Sequence, residues 1–175
     1  MIRPLNFAND RERLLMLDAS FMTDRIYLIQ RKDLSIDLIE AAVQPPIHKQ
    51  FDLSDLDSEW TDFAFAVVAE DGETIQGFAA VRNQQWNNRP EIWHLYVAAA
   101  CRGQGIGGDL MRACVDYARS INARCLWLET QNINYPAIQF YLKQGFEWCG
   151  LDTELYDPDQ VLAGECALYF SRQLD

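Results

Sequence analysis

Metal-ligand chemistry has little to work with in this sequence. It holds only two histidines, His48 and His94, far apart, and its five cysteines (Cys101, Cys114, Cys125, Cys149 and Cys166) include no C-x-x-C pair. The spacing of a metal site is therefore missing, and an odd, unpatterned set of thiols reads as reduced cysteine in a cytoplasmic protein. Long apolar runs are missing too. The longest, such as Phe63 to Ala69, fall far short of the roughly 20 residues of a membrane helix. The first residues carry Arg3, Asp10 and Arg11 instead of the apolar core of a targeting segment. Basic residues are also in deficit, 15 Lys and Arg against 26 Asp and Glu, for a net charge of −11. That balance argues against nucleic acid, whose phosphates need clustered Lys and Arg. It fits acidic solubility or the attraction of a small cationic molecule.

What is present is a chain of 175 residues, 49 % of them hydrophobic, enough to build one compact domain spanning 1–175. Asn9 or Asp10 can cap a short helix through Leu14, Leu15 and Leu17, and Arg25–Gln30 and Ser35–Ala41 read as strands. Pro45-Pro46 predicts a loop that includes His48. Phe63–Glu70 and Thr74–Asn83, joined at Asp71-Gly72, read as a hairpin. Asn87-Asn88-Arg89-Pro90 then turns the chain into a strand over Glu91–Val97, which completes an antiparallel meander.

The second half changes period. Ile106, Leu110, Ala113, Cys114, Tyr117 and Ala118 form a helical stripe, followed by a short buried strand over Arg124–Glu129, so the unit is β-α-β with a parallel pair. Asn134 and Pro136 open a second helix that Gly145 ends. Phe146–Tyr156 and Glu165–Ser171 read as a last antiparallel pair. The fold class is thus mixed α/β, with a mostly antiparallel sheet and flanking helices.

Chemistry concentrates at Arg102-Gly103-Gln104-Gly105-Ile106-Gly107-Gly108. Glycines that follow a strand and open a helix let backbone N–H groups converge on an anion, and the helix N-terminus adds partial positive charge. A phosphate-bearing ligand follows. Gly103, Gly105 and Gly108 also spell G-x-G-x-x-G, with Glu129 ending the next strand, which keeps a dinucleotide-dependent oxidoreductase as an alternative. Against it, Ala98 to Arg102 separate strand from glycine, and no β-α-β series repeats.

Read as Arg-x-x-Gly-x-Gly, Arg102, Gly105 and Gly107 resemble the acetyl-coenzyme A motif of the GNAT N-acetyltransferase superfamily. Asn134-Tyr-Pro-Ala137-Ile-Gln-Phe140-Tyr141-Leu-Lys-Gln-Gly145-Phe146 resembles that superfamily's N-x-x-A-x-x-F-Y-x-x-x-G-F block. The runs Ser20–Tyr27, Leu128–Ala137 and Gly150–Tyr156 are similar to streptothricin acetyltransferases, so the likeness covers most of the chain.

The resemblance implies a GNAT fold whose central parallel pair splays, so that backbone groups of Leu95, Tyr96 and Val97 bond the pantetheine arm of acetyl-CoA. It implies an oxyanion contact from the Val97 N–H and pyrophosphate over Gly103 to Gly108, with Arg102 also among the cofactor-binding residues and no metal. Tyr141 matches the family's tyrosine acid for the departing thiolate, and Asn134 caps its helix and touches the cofactor. An alkylammonium has a pKa near 10.4, so transfer at neutral pH needs a base. Glu91 stands six residues before Val97, the spacing at which some members place their glutamate. His94 is the alternative base, on the opposite face by strand alternation. Trp86, Trp93 and Trp127 are read as strand or core residues before substrate-stacking ones. The acceptor implied is a small cationic amine, a streptothricin-like antibiotic with its β-lysine amines, or alternatively a polyamine or a protein lysine or N-terminus. A non-catalytic acetyl-CoA-binding module is a further alternative, which Tyr141 argues against. A homodimer is compatible with the sequence.

Overall fold

The structure, a computed structural model, describes residues 1–54, 56–59 and 62–174. In chain order the elements are β1 (Ile2–Pro4), α1 (Phe7–Leu15), β2 (Phe21–Lys32), β3 (Ser35–Lys49), α2 (Leu56–Glu59), β4 (Phe65–Asp71), β5 (Thr74–Arg82) and β6 (Glu91–Val97). A 3-10 turn at Ala99–Cys101 leads to α3 (Ile106–Ser120), β7 (Cys125–Gln131), α4 (Tyr135–Lys143), β8 (Glu147–Asp152) and β9 (Ala167–Gln173). Strands follow the order β1-β4-β5-β6-β7-β9-β8 in a seven-stranded sheet, and β2-β3 is a separate ribbon. The pairs β1–β4, β4–β5, β5–β6 and β8–β9 are antiparallel. β6 and β7 run parallel, with Glu91 opposite Trp127 and Ile92 opposite Leu128. The mixed, mostly antiparallel class read from the sequence holds. The chain divides into two compact units, Met1–Ser20 with Gln50–Leu128 and Arg172–Asp175, and Phe21–Lys49 with Glu129–Ser171.

In the first unit, strand alternation sends Phe78 and Ala80 to one face of β5 and Gly77, Ala79 and Val81 to the other. Phe78 and Ala80 join Leu14, Leu17, Leu53, Leu56, Val68 and Ile75 in a buried cluster. Full burial of each large side chain there contributes about 1.5–3 kcal/mol. The opposite face carries α3. A Cβ on Gly77 would lie 2.9 Å from Leu110 Cδ1, 3.0 Å from the Tyr96 carbonyl oxygen and 3.2 Å from Ile106 Cγ2. Glycine at 77 therefore sets how closely α3, and the loop that opens it, lies on the sheet. Met111 and Val115 are buried with Leu110, Cys114 and Ala118 of the predicted stripe of α3, whereas Ile106, Ala113 and Tyr117 are half-buried.

Helix α1 starts earlier than the sequence suggested. Asn6 takes the capping position and Asp10 lies inside the first turns, its carboxylate accepting the Asn6 N–H at 2.9 Å. Arg3 explains the shift, because it donates to both oxygens of Asp10 at 2.7 Å and to both oxygens of Glu70 at 2.7 Å. Asp10 is thus held as a buried ion-pair partner, and the helix closes at Leu15 before reaching Leu17.

In the second unit, β3 runs straight through Pro45-Pro46, which the sequence reading assigned to a loop, and His48 is an exposed strand residue paired with Met22. The reason lies in the register. Thr23 pairs with Ile47 and Arg25 with Ala42, so residues 43–46 bulge opposite Asp24. Proline is tolerated there because a bulge needs no ladder N–H. Both strands of the ribbon are longer than predicted, because Phe21, Met22 and Thr23 pair with Lys49, His48 and Ile47 beyond the bulge and Arg31 and Lys32 pair with Ile36 and Ser35 at the turn. β8 ends at Asp152, short of the expected Tyr156, and β9 begins at Ala167. α4 follows its signals: Asn134 Oδ1 accepts the Ala137 N–H at 3.3 Å, Pro136 sits in the first turn, and Gly145 takes φ +80° past its end.

Candidate active site

The glycine-rich segment forms the turn between the 3-10 turn and α3. Gly103 has φ +77° and Gly105 φ +88°, a region that side chains with a Cβ rarely enter. Gly108 has no such need, and a Cβ built at Gly103, Gly105 or Gly108 meets no protein atom within 4 Å. Protein packing therefore does not require a glycine at 108, whereas close approach of a ligand to the backbone would. Exposed N–H groups at the start of a 15-residue helix and open glycines suit a pyrophosphate, so the residues present fit acetyl-CoA. Gln104 Nε2 donates to the Ala100 carbonyl at 3.4 Å. Ile106 turns to the sheet beside Gly77, and Gly107 lies in the first turn of α3.

Arg102 is engaged with the backbone. Its Nε donates to the Val97 carbonyl at 3.1 Å and its Nη2 to the Ser20 carbonyl at 2.5 Å. Burial draws its pKa below the ordinary arginine value, with Asp18 opposing. Leu95, Tyr96 and Val97 pair with Ala79, Phe78 and Gly77 of β5.

Glu91, at the start of β6, is only 6 % exposed. Burial pushes its carboxyl above the usual range, against a Gln84 Nε2 hydrogen bond at 3.3 Å and the charges of Arg82 and Arg89. A carboxylate with a raised pKa is a stronger base when ionised, the property an amine-deprotonating group needs. Arg82, opposite Glu91 in the ladder, sits 3.6 Å over the Trp93 ring and 5.6 Å from that of Phe63.

His94 corrects an expectation. Val81 pairs with Ile92 and Ala80 with His94, so Trp93 is an extra residue and alternation restarts after it. His94 thereby shares a face with Glu91 and Arg82, and its ring meets Phe63 edge-on at 5.5 Å. Trp127 is held in place, its Nε1 donating to the Arg89 carbonyl at 3.1 Å beneath the Arg89 guanidinium. Trp86 is 86 % exposed.

In the second unit, Tyr141 is buried among Phe140, Phe146 and Phe170, with ring centroids 5.6, 6.1 and 6.4 Å away. Asn134 serves as the helix cap. Glu129, the ribose-binding acid of the oxidoreductase alternative, accepts a hydrogen bond from the Tyr156 hydroxyl. Sequence reading missed Asn132. Its side chain donates to the Tyr27 and Gly164 carbonyls at 2.9 and 3.1 Å and accepts the Cys166 N–H at 2.9 Å. An asparagine between a strand and a capping asparagine offers no signal that its partners lie about 30 and 100 residues away.

Among the described residues no group of three or more His, Cys, Asp or Glu is placed to hold a metal ion, and no helix is long and apolar enough to cross a membrane. The model of the acetyltransferase (GNAT) family matches residues 27–146. The chain is 40 % identical over 171 residues to a streptothricin acetyltransferase of Streptomyces lavendulae, covering 93 % of this chain and 89 % of the relative. It is 27 % identical over 156 residues to one from Escherichia coli, covering 88 % and 87 %. The crystal structure of a nourseothricin acetyltransferase superposes with a TM-score of 0.88 at 36 % identity, over 100 % of this chain and 98 % of that one. A Bacillus anthracis protein assigned as a streptothricin acetyltransferase, solved with acetyl coenzyme A, gives 0.82 at 26 % identity, over 100 % and 97 %. With a glycine-rich turn whose open backbone suits a pyrophosphate and a family match over residues 27–146, the chain belongs to the GNAT family and is an acetyl-CoA-dependent N-acetyltransferase.

Proposed function

We propose that this enzyme acetylates a primary amine of a streptothricin-like cationic antibiotic and thereby protects the cell that carries it. The observation that supports this most is the 40 % identity, over 93 % of the chain, to a protein named for that substrate. The net charge of −11 agrees, since an acidic protein draws in a polycationic acceptor and does so less as salt rises.

In this reading acetyl-CoA supplies the activated acyl group, and the residues of the chain bind, orient and move protons. N–H groups from Gly103 to Gly108 and the N-terminus of α3 hold the pyrophosphate, with Arg102, Gln104 and Ile106 shaping the turn. Backbone groups of Leu95 and Tyr96 align the pantetheine arm, and the Val97 N–H takes the developing oxyanion. Glu91 removes the ammonium proton, directly or through water. Tyr141 returns a proton to the thiolate, and Asn134 orders the start of the helix that carries it. The family model crosses both compact units, which supports reading the chain as one catalytic domain. A cytoplasmic location accords with five unbridged cysteines.

The test is to offer purified protein acetyl-CoA with streptothricin, spermidine and lysine-containing peptides, and to follow thiol release. Preferred turnover of streptothricin is expected. Turnover restricted to neutral or acidic amines would overturn the acceptor assignment.

A further inference from the structure

Arg102 heads the glycine-rich segment, the place where an arginine would be read as a phosphate ligand. Its two hydrogen bonds run instead to backbone carbonyls of different segments, Val97 at the end of β6 and Ser20 between α1 and β2. The same two stretches are joined by the Ala99 N–H donating to the Asp18 carbonyl at 3.1 Å. The Asp18 carboxylate in turn accepts the Ser20 N–H at 3.0 Å. The Val97–Ala98 peptide is thus engaged on both sides. Its carbonyl accepts from Arg102, and its N–H donates to the Gln76 carbonyl at 2.9 Å. A peptide held this way cannot rotate without stranding a donor or an acceptor.

We propose that Arg102 is a positioning residue, whose forked bond to the Val97 and Ser20 carbonyls fixes the end of β6, and that it is not a ligand of the cofactor's phosphates. The inference rests on the reading of Val97 as the oxyanion donor. A guanidinium suits the task because its planar fork reaches two acceptors in fixed directions, which a lysine ammonium on a flexible stem does not. The phosphates are left to the open glycines and the N-terminus of α3, where no Cβ intervenes.

The test compares wild-type enzyme with R102A and R102K. Acetyl-CoA affinity is measured by calorimetry at low and high salt, and kcat with any acceptor that the wild type turns over. A positioning role lowers kcat in R102A on the order of 10²-fold, the scale of a slightly misplaced transition-state group. It leaves acetyl-CoA affinity within roughly threefold and its salt dependence unchanged, since no phosphate charge contact is lost. R102K shares the rate loss because it restores charge without the fork. A larger loss in affinity than in kcat, a shallower salt dependence and recovery in R102K would make Arg102 a phosphate ligand and overturn the inference. If R102A unfolds in thermal melts, R102K and R102Q carry the same comparison. The binding arm needs no acceptor, so a wrong acceptor assignment appears separately, as missing wild-type turnover of streptothricin.

Discussion

Glu91 and His94 face the same side of the sheet, although residues three apart on a regular strand face opposite sides, because Trp93 adds one residue to β6. The two candidate bases therefore belong to one surface, with Arg82 across the ladder from Glu91.

Replacing Glu91 by Gln separates catalysis from stability. The rate is expected to fall most at low pH, where free amine is scarcest, and the deficit to narrow towards the amine pKa near 10.4. Burial raises the folded-state pKa of Glu91. Its contribution is then most favourable below the unfolded pKa and is lost as pH rises through the folded one. At pH 7 the variant should consequently melt higher than wild type. A flat rate ratio across pH would leave Glu91 without a base role.

Gly105→Asp should weaken acetyl-CoA binding sharply, by placing a side chain and a negative charge against the pyrophosphate in a position of positive φ. Gly108→Ala is the cleaner probe, because neither φ nor packing demands a glycine there. Its stability should rise by about 0.5–1 kcal/mol, the usual gain of alanine within a helix, while acetyl-CoA affinity falls. Calorimetry and thermal melts on one sample read both, and unchanged affinity in both variants would remove the loop from the site.

For Tyr141→Phe the expectation is a kcat lower by about 10²-fold, with little change in the KM for acetyl-CoA, since the hydroxyl matters as the thiolate forms. The ring stays among Phe140, Phe146 and Phe170, so the melting temperature should hold. Wild-type kcat would exclude Tyr141 from proton transfer.

Acid resistance should depend on Arg3. Hydrogen bonds from Arg3 and then Arg13 draw Glu70 from 4.5 down to about 2, and Arg3 likewise lowers buried Asp10. Groups with depressed folded-state pKa contribute stability above their unfolded pKa, and it is lost as pH falls through the folded one. Acid unfolding, followed by circular dichroism between pH 5 and about 2, should begin at higher pH in Arg3→Met. An unchanged midpoint would show that the network does not govern acid stability.

Much of this was legible in sequence because local rules and global fold agreed. β6 spans the predicted Glu91–Val97, and α4 runs from its asparagine cap to its glycine. The glycine-rich turn was readable because positive φ and open backbone leave few other residues possible. Misreadings came where a distant partner decided. Arg3 converts Asp10 from a cap to an ion-pair partner, and the Trp93 bulge resets alternation. No periodicity within one segment carries those facts.

Pro45 and Pro46 also govern what β3 offers to other molecules. A ribbon of two strands leaves outer edges, and the β2 edge is bonded at Tyr27 to the Asn132 carbonyl. An incoming strand that tried to extend the ribbon along β3 would meet a bulge that breaks the flat row of backbone groups, at residues that have no N–H to donate. Edge pairing of this kind seeds aggregation. Two prolines and a bulge make this stretch of a 15-residue strand a poor template for edge pairing.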